Sequence, residues 1–587
     1  MQHIETLSKM LCRLQNRILI LKSDVRSLRR QSKLSYLHNV GSEPLRPLTI
    51  GRLLESTVEK HGANYAVISK HQNKKLTYSE VFDEANRLAA GLTALGLKNG
   101  DRVGIWAQNI IEWYVAFLAC ARAGYFTVTI NPAYQPRELE YCINKVGIKS
   151  IICGHKFRKQ DYYEVLTHAC PELPCSEPGK LKSSQLPTLQ SVVTICDETL
   201  RGTYNYEEVL ELATEDSINF IKKNQDQIKI DDPVNIQLTS GTTGHPKAAV
   251  VSHFGLVNNG FYVGKRNELG KKHHRICVLV PLFHAFGTVI TISASLNYGA
   301  TLVLPSDGFD PNKSLDAIKE ENCTIIHGTP TMYVDLVRVQ KERREKISPE
   351  IAVAGGAPCS PSLFKDMLNV IGVKKVKSVY GLSETTAVVF QSMLDDNEYR
   401  STATVGHIHD HIEAKVVDAD DKIVPIGTPG ELCTRGYSNM LGYWEDDNKT
   451  KEMMGQDRWL RTGDQFIMGE DGYGRIVGRL KEMIIRGGEN IFPKEIEDYL
   501  NTHPHILESY VIGLPHERLG EEVCACIRVQ EGHSVTLDEM KTFCKGNISH
   551  FKIPSVLVIM EKIPKTLSGK VQKFKLVEQV VNSKPNK

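Results

Sequence analysis

The chain has 587 residues, 41% of them apolar and 24% charged, with a net charge of only +3. That length exceeds what one hydrophobic core serves, so several subdomains are expected. The composition is that of a soluble globular chain and excludes wholesale disorder, and the small net charge excludes nucleic-acid binding by bulk electrostatics. Fourteen cysteines lack metal-ligand spacing and read as free, mostly buried thiols of a reducing compartment.

The first forty residues concentrate the positive charge. Lys9, Arg13, Arg17, Lys22, Arg26, Arg29, Arg30 and Lys33 stand against Glu5 and Asp24, a net +6 that leaves −3 for the remainder. Leu7, Leu11, Leu14, Ile18, Leu21, Val25 and Leu28 alternate spacings of four and three, an amphipathic helix pattern. A coiled coil and a mitochondrial transit peptide share that pattern. The flanking charges are mostly of one sign and would repel in a parallel pair, so the transit peptide is preferred. Without it the chain would be cytoplasmic. The final Lys584-Pro585-Asn586-Lys587 is not a peroxisomal address.

From about Leu48 to Gly154 helix and strand patterns alternate. Arg102–Ala107, Phe126–Ile130 and Ser150–Cys153 read as strands; 110–124 and 137–146 read as helices. Such alternation predicts an α/β layer with a largely parallel sheet. Pro171–Pro187 reads as a surface loop. From Ile276 to Ser306 no residue is formally charged, a stretch long enough to span a bilayer. Pro281, His284, Gly287 and Asn297 interrupt it, so a buried core segment is expected. Beyond Gly478 a compact α+β unit of about a hundred residues is expected, a usual size for a small domain. The division is therefore a leader over 1–40, a large α/β domain over 48–478 and a small α+β domain over 481–587.

The strongest local signal follows the apolar run Val234–Leu238. Thr239, Ser240, Gly241, Thr242, Thr243, Gly244, His245, Pro246 and Lys247 crowd hydroxyls, glycines and one lysine into a single turn. Glycines let backbone N–H groups approach an anion, hydroxyls add donors and the lysine adds a charge. Pro246 before the lysine and Ala248 after it exclude a Walker A loop.

This loop resembles the signature of the acyl-adenylate-forming superfamily, which includes acyl-CoA synthetases, firefly-type luciferases and peptide-synthetase adenylation domains. The resemblance runs from about residue 50 to 575, with each major motif in order. It implies that Thr239 to Lys247 hold the β- and γ-phosphates of ATP. In Pro281-Leu282-Phe283-His284-Ala285-Phe286-Gly287, His284 would line or gate the acyl pocket. The turn Gly355-Gly356-Ala357-Pro358 would lie against adenine and the acyl tunnel. In Tyr380-Gly381-Leu382-Ser383-Glu384, Tyr380 would stack on adenine, Ser383 would contact the α-phosphate or carboxylate, and Glu384 would bind Mg²⁺. Many members have Thr where Ser383 stands; the hydroxyl is retained. Asp464 would take the ribose hydroxyls and Arg479 the ribose or phosphate. Lys481 would be the pivot between the two domains, and Gly487 and Gly488 would border the coenzyme A channel. Lys570, in Pro564-Lys565-Thr566-Leu567-Ser568-Gly569-Lys570, would reach the α-phosphate and carboxylate during adenylation.

Local runs such as Ile130-Asn131-Pro132-Ala133-Tyr134-Gln135 and Ile548-Ser549-His550-Phe551-Lys552-Ile553-Pro554 look closest to a mitochondrial branch of medium-chain acyl-CoA ligases. The implied substrates are a fatty acid, ATP and coenzyme A, with no transmembrane segment. An aryl-acid ligase and a non-enzymatic nucleotide-binding or scaffolding protein are the rival readings. No carrier domain is recognisable after Lys570, which favours free coenzyme A over a carrier protein.

Overall fold

The computed structural model describes residues 33–239, 246–357, 359–486, 489–567 and 569–583. Residues 1–32 of the leader read over 1–40, Ser240 to His245, Gly487 and Gly488 lie outside the described residues, whereas Tyr36–Asn39, at the end of that leader, is a strand.

Two large sheets form the body. One has eight strands, in the order Tyr204–Asn205, Ser191–Ile195, Ser150–Gly154, Arg102–Trp106, Phe126–Thr129, Pro233–Thr239, Lys247–Ser252 and Gly442–Tyr443. The other has nine and centres on Lys375–Tyr380, Ile351–Gly355, Ile325–Gly328, Arg275–Val278, Thr301–Leu304 and Tyr65–Ser69, all parallel. These central strands read as continuous apolar runs because helices cover both faces of a parallel sheet. The helix Ile111–Ala123 touches strands of both sheets, and every one of its residues is buried. A helix apolar all round belongs inside, and Trp113, Tyr114 and Phe117 fill the space between the layers. The predicted strands and helices of this region stand within one or two residues of their observed ends.

The uncharged window at 276–306 folds into the core. It supplies two parallel strands, Arg275–Val278 and Thr301–Leu304, joined by a fully buried π-helix, Phe286–Ser293, and the helix Ala294–Tyr298. Among the described residues no helix is long and apolar enough to cross a membrane. The described cysteines are all free.

A five-stranded antiparallel sheet follows, in the order Tyr36–Asn39, Ile412–Val417, Gly430–Gly436, Leu460–Met468 and Gly474–Arg479. One 3₁₀ turn, Leu480–Glu482, separates it from Ile484–Arg486, the first strand of a different sheet. Lys481 is the exposed middle residue of that turn. The second sheet belongs to the C-terminal unit, whose core holds Ile484, Ile491, Ile496, Leu500, Val523 and Met540. Cys524 and Cys526 lie on its long strand Gly520–Val529 and pack against Leu576 and Val580 on the opposite face.

Buried histidines make this fold acid-sensitive. His253 accepts a hydrogen bond from the Ile50 amide at 3.1 Å, and burial pushes its pKa down to about 3. The unfolded chain, with histidines near 6.5, then binds more protons than the folded one below that value. Stability is fully present above about pH 6.5 and is lost as the pH falls toward 3, by up to about 1.4 kcal/mol per pH unit for each such group. His253→Gln should lower the melting temperature at pH 7.5 yet flatten its decline between pH 6.5 and 5, measured by thermal denaturation across that range.

Candidate active site

The parallel strands of the nine-stranded sheet end together, and ligand crevices of α/β sheets form at such carboxyl ends. Here Gly328 leads to Thr329, Gly355 to Gly356, and Tyr380 to Gly381. Gly356 adopts φ +82°, and a Cβ there would stand 3.9 Å from Cε of Lys570 and 3.7 Å from Cγ2 of Thr329. A Cβ on Gly355 would stand 2.3 Å from Cγ2 of Val379. The turn therefore needs glycine both for its conformation and for the close approach of its neighbours.

The predicted phosphate loop springs from a hairpin. Pro233–Thr239 and Lys247–Ser252 are antiparallel, with Thr239 directly opposite Lys247. Both ends of the loop thus leave from one place, and Pro246 accepts from the Tyr141 hydroxyl at 3.3 Å. The buried Glu384 carboxylate faces this point. It accepts from the Tyr443 hydroxyl at 2.8 Å, and the Thr239 hydroxyl stands 3.5 Å away. The Lys247 ammonium lies over the Tyr443 ring at 5.0 Å. The tight turn around Glu384 is a 3₁₀ turn, Ser383–Thr385, followed by Thr386 at φ 47°.

Ser383 is half-buried and is the first residue of that turn, next to Glu384 in the chain. Asp464 and Arg479 are a cross-strand pair. Asp464 is 2% exposed, accepts from the Tyr380 hydroxyl at 2.6 Å and pairs with Arg479 at 2.9 Å. Burial raises its pKa, against the pull of Arg479 and of the Tyr380 hydrogen bond. The Tyr380 ring is backed by Phe390 and Phe466, at 6.4 and 6.2 Å.

Lys570 reaches this cleft from the C-terminal unit. It is accessible to water, yet protein surrounds its ammonium on several sides. That crowding lowers its pKa, and Arg479 and Lys481 lower it further, while Glu384 and Asp464 oppose them. The His284 imidazole is pushed down to about 3 by burial and then by Lys570, so it is neutral near pH 7. Its Nδ1 accepts from the Phe286 amide at 3.3 Å. The cleft therefore gathers Lys247, Arg479, Lys481 and Lys570 around two carboxylates, an arrangement suited to a polyphosphate anion.

Of the residues read from sequence, Thr239, Pro246, Lys247, His284, Gly356, Tyr380, Ser383, Glu384, Asp464, Arg479, Lys481 and Lys570 are described, and the structure brings them to one cleft. Sequence reasoning missed Tyr443, which reaches Glu384 because Gly442–Tyr443 pairs with Lys247–Ser252. It also missed Thr331, whose hydroxyl donates to the Gly569 carbonyl at 3.3 Å. Neither residue carries a local signal; each is placed by pairing or packing with a distant segment.

These residues define a nucleotide-handling enzyme of two unequal domains, and the chain belongs to the AMP-binding enzyme family. The family model for the AMP-binding enzyme matches residues 54–444, and that for its C-terminal domain matches 495–570. The zebrafish (Danio rerio) protein named medium-chain acyl-CoA ligase ACSF2, mitochondrial, is 42% identical over 548 residues, 93% of this chain and 90% of that protein. The human (Homo sapiens) protein of that name is 42% identical over 553 residues, with shares of 93% and 90%. The putative acyl-CoA synthetase YngI of Bacillus subtilis is 37% identical over 91% of this chain and 97% of its own. Among solved structures, the fold matches the anthranilate CoA ligase AuaEII in complex with anthranoyl-AMP at a TM-score of 0.80 and 23% identity, covering 92% of this chain and 98% of the other. ATP-bound MatB from Rhodopseudomonas palustris gives 0.77 at 26% identity, covering 91% and 99%.

Asp464→Ala would strand both the Tyr380 hydroxyl and the Arg479 guanidinium. The KM for ATP should rise about tenfold, equivalent to about 1.4 kcal/mol, while the KM for coenzyme A stays within about twofold. Steady-state AMP formation with each substrate varied in turn measures both.

Proposed function

We propose that this protein is an acid–thiol ligase that joins a medium-chain fatty acid to coenzyme A through an acyl-adenylate, releasing AMP and pyrophosphate. The observation that carries this reading is the 42% identity, over nine-tenths of the chain, to proteins named medium-chain acyl-CoA ligase. The cleft supports it, because the last motif of the chain delivers Lys570 to the same place as Glu384, Asp464 and Arg479.

A carboxylate is a poor electrophile at neutral pH. In the first step its oxygen attacks the α-phosphorus of ATP, the bond to the β-phosphate oxygen breaks, and pyrophosphate leaves. Such phosphoryl chemistry needs mainly alignment and charge neutralisation. Lys570 supplies a cation at the α-phosphate and carboxylate. Lys247 and the hydroxyls of Thr239 to Thr243 supply the β/γ-phosphate side, Tyr380 holds the adenine, Asp464 takes the ribose, and Arg479 anchors between them. Ser383 contributes its hydroxyl near the α-phosphate. Among the described residues no cluster of three metal-ligating side chains occurs. One buried carboxylate with a hydroxyl 3.5 Å away fits Mg²⁺, which takes one or two protein oxygens plus substrate phosphates. Glu384 would hold that ion, whose charge would offset that of the phosphates.

In the second step the coenzyme A sulfur attacks the acyl carbon, the bond to AMP breaks, and the thiol proton passes to water. Lys570, assigned to the first step, has to withdraw for that approach. A pivot at Lys481 is supported by its turn, which joins the last strand of the sheet that bears Arg479 to the first strand of the C-terminal unit's sheet. Rotation there exchanges one packing for another. His284 and Phe286 would line the acyl channel. The basic leader, together with relatives named mitochondrial, supports import into the mitochondrion, in the matrix.

Lys570→Ala should lower pyrophosphate exchange by at least a hundredfold and leave thioester formation from supplied octanoyl-AMP within about threefold, since it removes a group used in only one step. Equal loss of both half-reactions would refute that assignment. With the unaltered protein, coenzyme A-dependent AMP formation across acids from acetate to palmitate should peak in the middle of the series. Turnover confined to benzoate and coumarate would keep the chemistry and overturn the fatty-acid reading. Because Lys570 sits among cations, the alkaline limb of the adenylation rate should fall below the usual lysine range near about 10.4. A limb at or above that range in a pH–rate profile would contradict it.

A further inference from the structure

The turn that carries Lys570 is tied, on the side away from the cleft, to a buried carboxylate that no step above uses. Glu508 stands on the strand Ile506–His516, directly opposite Arg528 on Gly520–Val529. A register shift between Ile506 and Glu508 marks a bulge at that point, and bulges re-aim side chains. The Glu508 carboxylate accepts from Lys565 Nζ at 2.7 and 3.1 Å. It also pairs with Arg528 at 3.2 Å and accepts from the Tyr510 hydroxyl at 3.0 Å.

Lys565 is the first residue of the turn. It bridges Val571 across the turn's base, while the Thr566 amide donates to the Lys570 carbonyl at 2.7 Å and the Lys570 amide to the Thr566 hydroxyl at 3.1 Å. Gly569 between them has φ +80°, and a Cβ there would stand 2.5 Å from the Thr329 hydroxyl, so the turn lies hard against the larger domain. The Thr331 hydroxyl holds its carbonyl from that side. Arg528 completes the bracket. Its second terminal nitrogen faces Asp335 at 3.7 Å, on the helix Pro330–Arg343 that begins at the rim of the cleft.

We infer that Glu508 is a positioning residue for adenylation: through Lys565 it fixes the Lys570 turn, and through Arg528 it registers that turn against Asp335 of the larger domain. A buried ion pair contributes little net stability, because desolvation offsets the attraction. It does hold groups in one geometry, and an ammonium misplaced by about 1 Å can slow a step about a hundredfold. In the thioester step Lys570 withdraws, so the same network has no task there. This inference rests on the assignment of Lys570 to the first half-reaction.

The test compares Glu508→Gln, Glu508→Asp and Lys565→Gln with Lys570→Ala. Pyrophosphate exchange reports adenylation, coenzyme A with supplied octanoyl-AMP reports the second step, and thermal melting is followed alongside. Glu508→Gln and Lys565→Gln should slow exchange by on the order of 10- to 100-fold and leave the second step within about threefold, the signature of a misplaced group rather than a missing one. Glu508→Asp should recover part of the loss. Lys565 is on the surface side of the pair, so its variant decides the matter where Glu508→Gln fails to fold. Exchange at the unaltered rate in Lys565→Gln, or equal loss of both half-reactions, overturns the proposal. If Lys570→Ala itself fails to separate the half-reactions, the assignment of Lys570 falls and this inference with it. If Lys570→Ala separates them and the other variants do not, only the role of Glu508 falls.

Discussion

Four cations share one cleft in this protein, and two buried carboxylates make that tolerable. Desolvation and then Arg479 loosen the hold of both Lys570 and Lys481 on a proton, and Asp464 opposes that effect at each. Asp464 is itself unfavourably buried, and it stays charged by pairing with Arg479 and accepting from Tyr380. The balance is incomplete by design of the site. A polyphosphate arriving there meets a surplus of positive charge that the fold has already gathered in one place, so few of its groups have to reorganise during the reaction.

That charge can be assembled because its members come from unlike places. Asp464 and Arg479 sit on adjacent antiparallel strands, Glu384 on a 3₁₀ turn after a parallel strand, and Lys570 on a separate domain. The nine-stranded sheet, packed on the wholly buried helix Ile111–Ala123, leads to Glu384, and the five-stranded antiparallel sheet carries Asp464 and Arg479. The fourth arrives on a unit joined by one short turn. A site divided in this way can be complete for one chemical step and open for the next, which a single rigid crevice could not be.

Much of this was legible in the chain itself. The alternation of strand and helix patterns gave the α/β layers because buried parallel strands and amphipathic helices have different periods. The ordered motifs pointed to the cleft through resemblance, because Tyr380, Glu384, Asp464, Arg479 and Lys570 each lie in a run that resembles one of the superfamily's. The uncharged stretch at 276–306 was read as core because Pro281 and Asn297 break it, and the structure places it there. What was not legible depends on pairing at long range. Tyr443 meets Glu384 only through the strand Gly442–Tyr443, and Arg528 meets Asp335 across nearly two hundred positions of sequence. No local spacing encodes either meeting. The antiparallel return of the phosphate hairpin was likewise hidden, since a strand followed by glycines has the same pattern whether a helix or a second strand comes next.

The edge strand Tyr36–Asn39 ties the beginning of the folded body to its chemistry. It pairs with Ile412–Val417, Ser35 is bonded to Val424 and Pro425, and the Tyr36 hydroxyl reaches Glu413 at 2.7 Å. Asp464 stands three strands further along the same sheet, and Arg479 on the strand after that. The sheet that carries this pair is thus hemmed by residues from the end of the segment read as leader. A cut ahead of residue 33 would leave that hem intact, and a cut a few residues later would unpick the border of the very sheet that carries Asp464 and Arg479.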